Sequence, residues 1–143
     1  MKLPFEPDAK RCHEDLKQTN AAYQQGFAAL RALADSDSPF DERLHRFMKS
    51  HEATLAAAQT QPQRQTWVEE DVYLCCVWDL LQSMFAAEAQ SIAGSSRTVA
   101  EKRGALDELS KRVDKLPFGS PLWRDGPRAR IQKRLADARD ALS

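Results

Sequence analysis

Apolar residues along this chain recur three and four positions apart and nowhere alternate with period two over a useful length, so the pattern predicts helices and no sheet. The strongest stretch runs from Trp67 to Ile92. With Leu74 as origin and about 100° per residue, Trp67, Trp78, Leu81, Phe85 and Ile92 fall within about 40° of one line, and Tyr73, Val77, Leu80 and Met84 widen the stripe. A stripe that broad predicts a helix with several neighbours. Thr66 with Glu69 forms a capping box at its start, and Gly94 is placed to take a left-handed cap at its end.

The remaining segments read as partners for that helix. After a proline-marked arm over residues 1–7, Asp8 can cap one long helix reaching Ala34, with Cys12, Leu16, Tyr23, Phe27 and Leu30 on its buried face and Asn20 on the edge of that face. Ser38 and Pro39 start a second helix to Gln59 with a seam of Phe40, Leu44, Phe47, His51 and Leu55, and Met48 beside it. The polar run from Thr60 to Gln65 connects to the main helix. Thr98 and Glu101 cap a fourth, which ends near Leu116 and carries Val99, Leu106, Leu109, Val113 and Leu116 on its seam. Lys102 is the one polar occupant of that seam. Residues 116–125 read as an apolar irregular loop, and Asp125, Gly126 and Pro127 open a last helix with Ile131, Leu135, Ala138 and Leu142 inward.

Short connections between long helices favour antiparallel neighbours. The expected fold is therefore all-α: one domain over residues 1–143, an up-and-down antiparallel bundle of four main helices plus a C-terminal fifth, with the third helix central.

The chain's length allows a core without metal or disulfide staples, and a formal net charge of zero gives no overall field toward nucleic acid or anionic membrane. The charge is nonetheless divided: residues 1–96 hold 9 Lys/Arg against 14 Asp/Glu, and residues 97–143 hold 12 against 7. Such polarity favours packing of one end on another, within a molecule or between two. The apolar runs are too short to span a membrane, and the first residues lack a signal peptide's apolar stretch. Cys12, Cys75 and Cys76 make no disulfide framework, because adjacent helical cysteines point about 100° apart, so reduced thiols in a cytoplasmic protein are expected.

Candidate chemistry is sparse. Glu42 and His45 match the Glu-x-x-His spacing of di-iron bundles, but only once and on the solvent side of their helix, so no metal site is expected. His13 lies on the flank of the first helix without an obvious partner and reads as exposed decoration. His51 lies on its seam between Phe47 and Leu55, and Glu88 is its natural counterpart on the main helix; such a buried pair would hold a proton more tightly and offers an acid/base or metal-binding alternative. Arg124, Arg128, Arg130, Lys133, Arg134 and Arg139 mark the last helix as basic, but they spread around it, which makes nucleic-acid binding the weaker alternative. No phosphate loop, Cys-x-x-Cys pair or nucleophile elbow occurs, and no cofactor is expected. Phe118, Leu122 and Trp123, set between prolines, form a partner-binding candidate or a plug for the bundle end. The function expected is a non-enzymatic protein–protein interaction module, binding a protein such as an effector, toxin or assembly component, or itself as a homodimer.

Overall fold

The computed structural model describes residues 9–60, 66–116 and 121–142, and every regular element among them is a helix. These are α1 (Ala9–Leu16), α2 (Ala21–Ala34), α3 (Phe40–Gln59), α4 (Thr66–Ala93), α5 (Val99–Asp114) and α6 (Pro121–Asp140). The chain forms two compact units, Met1–Leu80 and Leu81–Ser143, with the division inside α4. Among the described residues no helix is long and apolar enough to cross a membrane. The N-terminal arm, the Asp8 cap and most of the polar connection after Thr60 lie outside the described residues, as does the side chain of Thr66.

In the first unit, the single helix expected up to Ala34 is two helices. Asn20 causes the break: its Oδ1 accepts from the backbone N–H groups of Ala22 and Tyr23 at 3.0 and 3.3 Å, which makes it the N-cap of α2 rather than an interior edge residue. Thr19 closes α1 from the other side by donating its hydroxyl to the Leu16 carbonyl at 2.6 Å. Leu16, Tyr23, Phe27 and Leu30 are buried as the spacing requires, since the apolar period carries through the break.

α2 and α3 pack as an antiparallel pair. At their crossing Gly26 lies against Thr54, where a Cβ on the glycine would fall 2.2 Å from the threonine hydroxyl. The helices approach there because no side chain stands between them. At the corner, Arg43 donates to the Ala34 carbonyl at 2.9 Å and lies over the Phe40 ring at 5.8 Å, so one side chain satisfies an orphan carbonyl at the end of α2 and covers the start of α3. Phe40, Leu44, Phe47 and His51 are buried as expected; the seam then continues through Thr54 and Ala58, leaving Leu55 half-buried.

On α4, six successive residues from Tyr73 to Trp78 are buried, none more than 6% exposed. Consecutive helical positions point in all directions, so this segment is enclosed on every side. It also overturns the reduced-thiol expectation: Cys75 is disulfide-bonded to Cys12 of α1, with Cα atoms 6.1 Å apart across 63 residues of sequence. Helical neighbours Cys75 and Cys76 still do not pair, and Cys76 is a buried free thiol. The missing partner was a cysteine on another element.

In the second unit, α4 ends without the left-handed glycine expected at Gly94. Its last carbonyls are taken by polar side chains instead: Ser95 donates its hydroxyl to Ile92 at 2.7 Å and Lys102 its ammonium to Ala93 at 2.8 Å. The Thr98–Glu101 capping box forms as predicted, with Thr98 Oγ1 accepting from the Glu101 N–H at 3.2 Å and donating to its carboxylate at 3.0 Å. α5 buries Leu106, Leu109 and Val113, and Leu116 follows them into the core. α6 returns antiparallel to it: Gln132 bonds the Ser110 carbonyl and hydroxyl and the Asp114 carboxylate, and Arg139 pairs with Asp107 at 3.0 Å.

α6 begins at Pro121 rather than at Asp125, so the expected irregular loop is shorter by residues 121–125. Proline is well suited to a first helical position, where its absent N–H would have no partner. Pro127, inside the helix, is fully buried. Ile131 and Leu135 form the inner face of α6 as expected, and Arg128 donates to the Leu116 carbonyl at 2.7 Å.

Candidate functional site

Three features carry chemistry beyond packing. The first is a buried polar centre in the first unit. His51, placed by the α3 seam, has its Nδ1 2.9 Å from the Tyr73 hydroxyl of α4, and the two rings lie nearly parallel, 5° apart. Tyr73 also has a side-chain hydrogen bond with Thr54, whose own hydroxyl donates to the Ser50 carbonyl. The Tyr23 ring from α2 stands 5.1 Å from that of Tyr73. Burial lowers the His51 pKa to about 4, keeping the imidazole neutral, and the same desolvation raises both phenols, Tyr23 to about 12 with help from the nearby Glu70 and Glu69 charges. Glu70 is itself raised, first by burial and then by Asp71. The shift at His51 is opposite in sign to that expected beside a carboxylate. Its Nδ1 meets a phenol, and Glu88 belongs to the other unit.

A centre of this kind joins three helices by neutral hydrogen bonds and ring contacts. It holds its proton inventory fixed near neutral pH, as a structural core polar network does.

The second feature surrounds α1. His13 is not exposed decoration: its Nε2 is 2.8 Å from Asp79 Oδ2 of α4, and its ring lies 5.1 Å from that of Phe27. Cys75 and Asp79 are four residues apart and share one face of α4, so the adjacent Cys12 and His13 meet that face together. Burial, then the Asp79 and Asp15 charges, push the neighbouring Cys76 thiol up to about 12.

The third feature is a groove of about 590 Å³ in the second unit, formed where the end of α4, the start of α5 and the end of α6 meet. Its walls are small and apolar, chiefly Ala86, Ala89 and Ala93 of α4, Val99 of α5 and Ala138 of α6. Lys102 and Arg134 are the charged groups lining it, both cationic. The polar exception on the α5 seam thus has a structural reason: Lys102 caps α4 and borders the groove. Arg134 makes no ion pair with a described residue, whereas Lys133 is paired to Asp137 and Arg139 to Asp107.

Among the other basic residues described on α6, Arg128 is committed to a backbone carbonyl, and Lys133 and Arg139 to carboxylates. Glu42 is paired to Arg46 at 2.7 Å and His45 is exposed. Among the described residues no group of three or more His, Cys, Asp or Glu could hold a metal ion. Phe118 lies outside the described residues, as do the side chains of Leu122, Trp123 and Arg124. Sequence reasoning missed the groove and the α1 contacts. The signals available were Lys102 on an apolar seam and the alanine spacing at 86, 89 and 93.

Comparison with known protein families, with curated proteins and with solved structures gave no match to this chain.

Proposed function

We propose that this chain is a non-enzymatic protein–protein interaction module that associates with a second copy of itself, the groove of the second unit seating an acidic helix of the partner copy. The observation that carries the reading is the groove's combination of size, small apolar walls and cationic lining. Alanine walls let a helix backbone approach closely, and helix-in-groove docking anchors such an element by its apolar face. Lys102 and Arg134 complement carboxylates, and the first 96 residues carry the chain's acidic excess. Reciprocal docking of each acidic half on the other's groove would close a two-fold dimer. The antiparallel up-and-down order of the whole chain belongs to the same proposal.

Sedimentation of the full chain over a wide concentration range tests it, alongside Ala138→Trp, which fills a half-buried wall position, and Arg134→Glu, which reverses a charge lining the groove. Concentration-dependent association that both variants lose, with helicity unchanged, is the expected result. A wild-type chain that stays monomeric throughout would overturn it.

A further inference from the structure

We infer that Cys12 is a thiol-exchange site, and that opening its disulfide with Cys75 undocks α1 from α4.

At eight residues α1 is too short to hold its own helix in water, so its order depends on tethers. Among the described residues these include the Cys12–Cys75 disulfide, the His13–Asp79 contact, the His13 ring against Phe27, and the buried Leu16. Two are side-chain contacts of a single half-exposed histidine, and one is a single apolar anchor. The covalent link is the tether whose loss leaves the least behind.

The two sulfurs are not equivalent. Cys12 is half-buried, on an α1 whose Lys10, Arg11, Glu14 and Asp15 are exposed, whereas Cys75 is 2% exposed. An external thiolate therefore reaches Cys12 Sγ and not Cys75 Sγ. Attack at Cys12 forms a new S–S bond there, breaks the Cys12–Cys75 bond, and sends the electron pair to Cys75 Sγ, which then takes up a proton. When the attacker belongs to a dithiol, its second thiol, as thiolate, attacks its own sulfur in the mixed disulfide; the pair leaves on Cys12 Sγ, which is protonated, and the reductant departs as its disulfide. Two electrons and two protons pass to the protein.

Cys76 stands aside from this sequence. It is fully buried, adjacent to Cys75 on the helix and pointing elsewhere, and its raised pKa keeps it a thiol rather than the thiolate that exchange requires. The disulfide is thus opened from outside rather than reshuffled within.

Two readouts on the full chain test the inference. Glutathione is added to the oxidised protein, the reaction is quenched with acid, and the adduct is located by peptide mass spectrometry; separately, amide exchange is compared before and after reduction by a dithiol. The adduct is expected on the peptide beginning at Cys12, and exchange over α1 is expected to rise by about tenfold or more while α2 and α3 stay unchanged. Cys12→Ser should reproduce the reduced pattern, and Cys76→Ser should leave the oxidised one intact. An adduct on Cys75 or Cys76 instead would overturn the assignment of the entry sulfur. Unchanged α1 exchange after full reduction of the wild-type chain would overturn the undocking, whether or not the Cys12→Ser variant folds.

Discussion

Acidification should destabilise the fold through His51 before it reaches the ordinary carboxylate range. The imidazole is 5% exposed, and burial lowers its pKa from 6.5 in an unfolded chain to about 4. Between those values the unfolded chain binds a proton that the folded chain refuses, so stability falls as pH falls through that window. The contribution is fully present above about pH 6.5 and is lost by about pH 4, and the two pKa values correspond to about 3 kcal/mol. Glu70 works in the opposite direction, because its raised pKa lets the folded state accept a proton ahead of the unfolded one. The informative quantity is therefore the difference between wild type and His51→Gln, which keeps a hydrogen-bonding group near the Tyr73 hydroxyl without a titrating one. Urea unfolding of both chains across the window should show a steeper loss of stability in the wild type. Proton NMR of the imidazole, assigned by the loss of one resonance in the variant, reads the same pKa directly. A His51 resonance titrating at or above its ordinary value, or identical pH slopes for the two chains, would refute the burial argument.

Two glycines on helices should respond in opposite ways to alanine. Gly26→Ala drives a Cβ into Thr54 at the α2–α3 crossing, and the overpacking, about 1–3 kcal/mol, should exceed the gain of about 1 kcal/mol in helix propensity, giving a lower denaturation midpoint. Gly104→Ala places its Cβ in open space on α5, so the propensity gain of up to about 1 kcal/mol should raise that midpoint. Asn20→Ala removes the N-cap of α2 and should cost about 1 kcal/mol, with faster amide exchange at Ala22 and Tyr23 as its local signature.

Periodicity made the helices legible because it reports which direction a side chain faces. It identified most of the buried stripe of α4, where Leu80 is half-buried and the side chain of Trp67 lies outside the described residues, together with the α5 seam and its capping box and most of the α3 seam. Where it failed, a local competitor had won. The apolar spacing from Leu16 to Tyr23 is one that an unbroken helix would also show, so the period concealed the break; the hydrogen bonds of Asn20 and Thr19 made it. At the end of α4 the glycine signal was outweighed by Ser95 and by Lys102, which reaches back nine residues to Ala93 and could not be placed from a seam diagram.

Partners between elements were beyond what facing directions can give. His13 had no obvious partner, and Asp79 is a lone acid within an apolar run. Yet the two halves of a bipartite match were present: a Cys-His dipeptide on a short helix, and a cysteine followed four residues later by an aspartate on a longer one. Either half alone has an ordinary meaning, a buried thiol beside a surface polar group. Joined, they have another, because a helix of two turns docked by adjacent residues has its covalent and polar tethers in the same place. Loss of the covalent one then leaves α1 without its strongest tether, with the side-chain contacts of His13 and the burial of Leu16 among those that remain, which is why the redox state of Cys12 governs the order of α1 more directly than its local helix propensity does.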